Sequence, residues 1–500
     1  MRGNALVAFQ GKTVDAAFAA LLADPRVAGV ILYGPINIDS AEQTRLLIDD
    51  IQTAADRPLL VAVDQEGGQL IGCGPDTTPF AGNMALGAVD DPDLTRAVAA
   101  AMGRELRALG INVNLAPVCD VATRPYNPSM GIRSFGEDPA LVSRHTTAFV
   151  QGLQSEGVAA TLKHFPGKGE AAVDPHDELP VLDIDIDRLD EVELPPFRAG
   201  IEAGARLLMV GHYGLPAITG DRTTPTSLSP GVMDDLIRGR LGFPGLILTD
   251  ALDMGGFGGA DPNAPLGAGA DLLLYGPAQA GALPSTPPRE SPRLADLLQW
   301  ISEFPEPGLS VVACQGHRQL AKEVAERAIT LVRDDPGLLP IRPGSDTRIL
   351  AIMPEPKDLT PADTSSAVEP GLAVAIRAHH DATTELVTAF EPSEEEIAVA
   401  VSQAAEHDYV VVGTIDATPA QTLLVESVLA TGVPTVTVAM RTPYDLGAYP
   451  EAPTHVCTYG ILPPSLDALA AALFGGSMPG RLPVAIPGLY PVGHGTGSAR

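Results

Sequence analysis

Residues 163–180, Lys-His-Phe-Pro-Gly-Lys-Gly-Glu-Ala-Ala-Val-Asp-Pro-His-Asp-Glu-Leu-Pro, hold two histidines, four carboxylates, two lysines and two glycines within eighteen positions. Histidines and carboxylates are the side chains that move protons near neutral pH, and a stretch this polar reads as a loop rather than as core. Within it Asp174-Pro175-His176 sets a carboxylate two residues before an imidazole. Pro175 biases Asp174 towards an extended conformation and stiffens the pair. A carboxylate in reach of one ring nitrogen fixes the tautomer and stabilises the protonated ring, which leaves the other nitrogen to give a proton to a leaving group. On the residues alone, His176 is more readily read as an ordinary loop histidine, since His-Asp proximity is common. Lys168 reads as a solvated lysine.

Further charged residues follow apolar runs along the chain. Asp64 opens Asp-Gln-Glu-Gly-Gly after one run, Asp120 and Arg133 follow another, and Lys163 with His164, then His212, then Asp250 follow three more. Taken singly, each is also readable as a helix cap or a satisfied loop group; their coincidence is the signal. Carboxylates, imidazoles, one arginine and one lysine are what glycoside hydrolysis requires: a carboxylate under the anomeric carbon, a proton donor at the leaving oxygen, and partners for sugar hydroxyls. Asp250 is the better nucleophile candidate because it ends the apolar run 245–249, whereas Asp253 lies in a Gly-rich turn. There is no Ser or Cys nucleophile elbow. The adjacent pair His379-His380 cannot share a helix face, and Cys73, Cys119, Cys314 and Cys457 lack zinc-ligand spacing, so no metal is expected and the thiols read as reduced and mostly buried. Neither a P-loop nor a Gly-x-Gly-x-x-Gly run follows a strand, so no nucleotide cofactor is expected.

The elements that would position these residues are short β-branched and Leu-rich runs at 5–9, 29–33, 59–63, 113–118, 158–162, 207–210, 245–249 and 271–275. Helical periods lie between them near 13–24, 41–55, 92–109, 139–155, 188–204 and 230–240, the second opening on the N-cap candidate Ser40. Apolar strands alternating with helices predict a parallel sheet buried on both faces, and eight such units predict a (β/α)8 TIM-type barrel over residues 1–276. Barrel active sites form at the C-terminal ends of strands, where the residues above fall. The last crossover, 251–269, is Gly-rich and promises little helix. Residues 277–345 read as a Pro-rich linker followed by connecting helices near 293–303 and 315–333. Strand candidates at 348–353, 385–389, 409–413, 435–439, 454–458 and 482–486 predict a smaller α/β sandwich domain over 346–500.

Composition narrows the partners. The 62 acidic against 32 basic residues give a formal charge of −30, which argues against nucleic acid and anionic membrane surfaces and suits a neutral or weakly charged ligand. The first ten residues hold too short an apolar stretch for a secretory signal, and no run approaches the ~20 apolar residues of a membrane span. A soluble, cytoplasmic protein is the expectation. Nothing in the residues bears on oligomeric state.

Seven motifs together resemble glycoside hydrolase family 3, and within it the bacterial β-N-acetylhexosaminidases. They are Val63-Asp-Gln-Glu-Gly-Gly68, Asn114-Leu-Ala-Pro-Val118, Arg133-Ser-Phe-Gly-Glu-Asp-Pro139, Lys163-His-Phe-Pro-Gly167, Gly245-Leu-Ile-Leu-Thr-Asp-Ala-Leu252, Ala325-Glu-Arg-Ala-Ile-Thr-Leu-Val332 and Leu473-Phe-Gly-Gly-Ser-Met-Pro-Gly-Arg-Leu-Pro483. The resemblance implies Asp250 as nucleophile, Asp174 and His176 as the acid/base pair, and Asp64, Arg133, Lys163 and His164 as contacts of the first sugar; His212, at the end of strand six, is grouped with these contacts. It implies a retaining enzyme that removes β-linked N-acetylglucosamine from small saccharides such as cell-wall fragments. The alternatives within enzymes are a phosphorylase, with phosphate as acceptor beside a histidine that carries no repelling anionic charge, and a β-glucosidase of the same family. A non-catalytic sugar-binding protein is the alternative of another class, and the presence of Asp250, Asp174 and His176 speaks against it. The chain departs from the family pattern at Lys168 for His, Glu170 for Asp, Pro175 for Ser and Gln69 for Arg.

Overall fold

The computed structural model describes residues 3–288 and 290–497. Met1 and Arg2 of the N-terminal stretch, Arg289 of the connector and the last three residues of the predicted second domain lie outside the described residues.

Eight parallel strands close into a barrel in chain order: β1 (Ala5–Val7), β2 (Val27–Leu32), β3 (Leu60–Val63), β4 (Val113–Asn114), β5 (Ala159–Phe165), β6 (Leu207–Val210), β7 (Leu246–Ala251) and β8 (Leu272–Leu274). β8 returns to β1 through Ala5↔Leu273 and Leu6↔Leu274. Side chains alternate across each strand: Leu60, Ala62, Leu207 and Met209 fill the barrel interior, while Val61, Val63, Leu208 and Val210 pack under the helices. Burial on both faces is why these strands are apolar throughout rather than alternating. β4 is short because Pro117 has no N–H to continue the ladder; one isolated pairing, Val118 with Lys163, follows it.

The predicted helices form at Ala16–Leu22, Ala41–Ala55, Pro92–Leu109 and Pro139–Ser155, and Ser40 caps the second by accepting from Gln43 N at 3.1 Å. The predicted helix over 188–204 is uneven. It runs as Ile186–Arg188, a wider π turn at Leu189–Glu193 and then Leu194–Glu202, because Pro195 and Pro196 carry no N–H for the regular ladder. The sixth, Gly231–Arg240, is π-wound. The last crossover holds only the turns Gly255–Phe257 and Ala264–Gly267. Helix Pro292–Ser302 of the connector joins the interior cluster through Leu294, Leu297, Leu298 and Ile301 and closes the barrel at the strands' N-terminal ends, where Arg206 lies 4.5 Å from the centre of the Trp300 ring.

A second, six-stranded sheet is built from β9 (Thr330–Asp334), β10 (Ile349–Pro354), β11 (Thr383–Thr388), β12 (Tyr409–Thr414), β13 (Thr435–Ala439) and β14 (Thr454–Cys457), in the order β9-β14-β13-β12-β10-β11. All pairings are parallel except that of β9 with β14. Two expectations change here. The helix predicted over 315–333 is Gln315–Ala328, and the β-branched and Leu-rich residues after it form β9, so the second sheet takes an edge strand from the stretch assigned to the connector. The strand predicted at 482–486 does not form; apart from one bridge, Ile486 with Tyr490, this segment bonds loops, with Leu482 N donating to His494 O and Pro483 O accepting from Glu137 N. Among the described residues no helix is long and apolar enough to cross a membrane. The four cysteines are unpaired, three of them buried and Cys314 partly so.

Candidate active site

At the C-terminal ends of the strands, a cavity of about 390 Å³ is lined by Asp64, Arg133, Lys163, His164, Lys168, His176 and Asp250 together with Tyr33, Leu115 and Met209. Asp250 is the penultimate residue of β7, and its Oδ1 accepts from the backbone N of Ala251 at 2.8 Å. His176 enters from the polar loop. Its Nδ1 lies 2.6 Å from Asp174 Oδ1, and the same oxygen accepts from His176 N at 2.9 Å, so the residue spacing of Asp-Pro-His closes on itself as a local turn. Burial alone would raise the Asp174 carboxyl, but the ring and backbone donors of His176 hold it below the ordinary value. Asp174 is therefore an anion, Nδ1 carries the proton it donates to Asp174, and Nε2 is left for the cavity.

The polar loop is fixed over Asp250 by the Gly-rich crossover. Gly255 N donates to His176 O and Gly256 N to Pro175 O, both at 2.9 Å. A Cβ on Gly255 would sit 2.0 Å from Asp177 O, so no side chain fits there. Asp253 is drawn away by Ala278 N, 2.9 Å from its Oδ2.

Opposite the dyad lies a buried ion cluster. Lys163 Nζ is 2.5 Å from Asp64 Oδ1 and 2.6 Å from Glu66 Oε1, while Arg133 grips Glu66 with two bonds of 2.8 and 2.9 Å. Desolvation would raise the Glu66 carboxyl, yet the two cations pull it down to about 2. Burial, with Lys168, Arg133 and Lys163 nearby, pushes His164 well below its ordinary value, so the ring is neutral. Its Nδ1–H donates to Asp120 Oδ2 at 2.7 Å and its Nε2 accepts from Arg133 Nη2 at 3.2 Å. The cluster presents fixed donors and acceptors to the cavity, with almost no side-chain entropy left to lose on binding a ligand.

Removing one partner from such a cluster strands a buried charge. Glu66→Gln is expected to destabilise the fold by about 3 kcal/mol, read as a lower urea midpoint. The sign with pH follows from the depressed carboxyl: its contribution is complete above about 4.5 and is lost as pH falls towards about 2. Wild-type stability should therefore fall more steeply than that of Glu66→Gln over this window.

The pattern of the glycosyl hydrolase family 3 N terminal domain matches residues 3–283. The chain belongs to this family. A β-N-acetylglucosaminidase/β-glucosidase of Cellulomonas fimi is 32% identical over 508 residues, covering 91% of this chain and 88% of that one. A β-hexosaminidase of Stenotrophomonas maltophilia (strain K279a) is 36% identical over 280 residues, 54% of this chain and 82% of its own. The solved family 3 β-N-acetylglucosaminidase of Paenibacillus sp. str. FPU-7 superposes with a TM-score of 0.88 at 30% identity, covering 96% of this chain and 97% of that one. This family 3 chain is a glycosidase.

Of the residues singled out in the sequence, Asp250, His176, Asp64, Arg133, Lys163 and His164 come together at the family 3 cavity, with Asp174 behind His176. His212 does not line it. Its Nε2 donates to Ala251 O at 3.1 Å and its Nδ1 accepts from Ser227 Oγ at 2.7 Å, so the ring has no nitrogen left for a sugar and instead braces the strand end that carries Asp250. Lys168 is not solvated: it is 1% exposed. The first half of the polar loop, 163–169, is buried, with Asp64, Glu66 and Asp120 from other strands pairing with Lys163 and His164. Glu66 was missed, although its two-residue spacing from Asp64 is a same-face signal in an extended segment. Whether the second domain contributes to the cavity is left open by the sequence. Asp358, Pro361, Thr364 and Ser366 line the cavity, and Gln69 ties their loop down. Its Nε2 donates to Ala362 O at 3.2 Å, its carbonyl accepts from Thr364 N at 2.8 Å, and its Oε1 accepts from Ile132 N at 2.9 Å.

Proposed function

We propose that this chain is a retaining β-N-acetylglucosaminidase that releases terminal β-linked N-acetylglucosamine from small saccharides through a covalent glycosyl-Asp250 intermediate. The observation that carries the reading is the His176–Asp174 pair at 2.6 Å, on a loop clamped over the strand that presents Asp250. In the first step an Asp250 oxygen bonds to the anomeric carbon as the glycosidic C–O bond breaks, and the leaving oxygen takes the proton from His176 Nε2. Asp174 stabilises the ring's positive charge before that transfer. In the second step neutral His176 takes a proton from water, whose oxygen displaces Asp250. Two inversions give net retention. Asp64, Arg133, Lys163 and His164 hold the sugar hydroxyls.

The relatives named for N-acetylglucosaminide or hexosaminide hydrolysis support the substrate class. The double name of the Cellulomonas fimi relative favours one second reading, turnover of β-glucosides by the same site. A panel of p-nitrophenyl glycosides is expected to give the highest kcat/KM on the N-acetyl-β-glucosaminide; a glucoside preference would move the assignment to β-glucosidase. Proton NMR of the first-formed sugar should show the β anomer, and an initial α anomer is incompatible with a glycosyl-enzyme.

A further inference from the structure

The two chemical steps use Asp250, His176 and Asp174 and leave Lys168 without a task. Its side chain is buried in the cavity wall, and among the described residues its Nζ makes one hydrogen bond, 3.3 Å to Ser129 O. That oxygen already accepts from Arg133 Nη1 at 3.2 Å. Among the described residues no carboxylate forms an ion pair with Lys168, although an ammonium carries three donors. A desolvated cation with two donors unengaged is unfavourable in the empty protein, and a ligand oxygen that accepts from it removes that disadvantage.

Its neighbours restrict which ligand oxygen this is. The backbone N of Lys168 donates to Asp120 Oδ1 at 2.9 Å; Asp120 holds His164, and His164 meets Arg133. Of these, His164 and Arg133 hold sugar hydroxyls in the reading above. Further along the same loop, Asp174 feels the Lys168 charge. Lys168 thus lines the same cavity as the ring-holding cluster and His176, within the field of Asp174 and Asp250; with the sugar held as in that reading, its ammonium would face a ring edge next to the anomeric carbon. One such edge carries the ring oxygen, where positive charge develops in the oxocarbenium-like transition state, and an ammonium there would oppose catalysis. The other edge carries C2.

We propose that Lys168 donates to the carbonyl oxygen of the C2 acetamido group and selects N-acetylglucosaminides over glucosides. This rests on the N-acetylglucosaminidase reading and names the residue behind its specificity. The groups facing the ammonium are Arg133, Asp120, neutral His164, Asp174 and Asp250. Burial and Arg133 bring it down to about 8, against the opposing pull of the three carboxylates. The cation is present below that value and lost above it, so KM for the N-acetylglucosaminide rises as pH passes about 8, while KM for the glucoside does not rise through this group.

Lys168→Met retains the bulk and removes the charge. With p-nitrophenyl N-acetyl-β-glucosaminide, kcat/KM of the variant is expected to fall about 10- to 100-fold, the range for one lost charge-assisted hydrogen bond, and with the β-glucoside to change by less than about threefold. The alkaline rise in KM should vanish with the charge, and calorimetry should show weaker binding of free N-acetylglucosamine with glucose unaffected. Equal losses on both substrates, or an alkaline limb that survives in the variant, would overturn the Lys168 assignment. The wild-type pH comparison of the two substrates tests it without any substitution: parallel KM profiles refute it. A wild-type preference for glucosides would instead remove the functional reading, and the sugar-binding comparison then decides Lys168 by itself.

Discussion

Asp250→Ala is expected to lower turnover by about 10^4-fold or more with the fold intact, because no second carboxylate on β7 faces the cavity. The fold should survive because Asp250 is half-buried and, among the described residues, its side chain bonds only the backbone N of the next residue. Asp253, the nearest carboxylate in sequence, cannot take over: its carboxylate is held by Ala278 N, and Gly276 packs so close that a Cβ there would lie 1.8 Å from Asp253 Oδ1. A slow 2-deoxy-2-fluoro substrate, followed by peptide mass mapping, should label Asp250. Label on Asp253 would refute the assignment. Unchanged circular dichroism and urea midpoint in Asp250→Ala separate loss of chemistry from loss of structure.

His176→Ala is expected to reduce kcat/KM on natural saccharides by about 10^2- to 10^4-fold, since their alcohol leaving groups depart only with a proton. Aryl glycosides leave as stabilised phenolates and should lose about tenfold or less in the same parameter, which reports the steps up to the first irreversible one. Asp174→Ala should show a milder form of this split. It removes the 2.6 Å bond that orients the ring and stabilises its cation, but leaves Nε2 in the cavity. Equal losses on both substrate classes would return His176 to the reading of an ordinary loop histidine and make Glu170, Asp177 or Glu178 the next candidates for proton donor. Glu170 already accepts from Arg188 Nη2 at 3.1 Å, which makes it a weaker replacement than the two exposed residues after His176. With wild-type protein, millimolar phosphate should leave hydrolysis as the main route. Accumulation of N-acetylglucosamine 1-phosphate would make phosphate, rather than water, the acceptor.

The eight apolar runs, the helical periods between them and the charged residues at the run ends were legible in the sequence, because strand and helix periodicities and burial on two faces are local properties of the chain. The Asp174-Pro175-His176 pair was legible for the same reason: its hydrogen bonds span two residues. The assignments that changed depend on partners from distant segments. His212 looked like a sugar contact until Ser227 and Ala251 occupied both nitrogens, and Lys168 looked solvated until Asp120, Ser129 and Arg133 enclosed it. β9 was read as the end of a helix because Thr-Leu-Val is short, and only pairing with β14 makes it a strand. The 358–367 loop, rich in Ser, Thr, Asp and Pro, carries no periodicity that would place it at a barrel mouth; Gln69 and Thr364 do so across the chain. The Gly-rich crossover read as a weak point in the barrel because glycine disfavours helix, yet the closure of β7 onto β8 turns that absence of side chains into the clamp that sets His176 over Asp250. The sequence by itself thus determined which charged residues end the barrel strands; whether each lines the cavity, braces a strand or becomes a buried cation, and which distant loop joins them, was decided by tertiary structure, because a side chain's charge and free hydrogen-bonding atoms depend on what the rest of the chain packs against it.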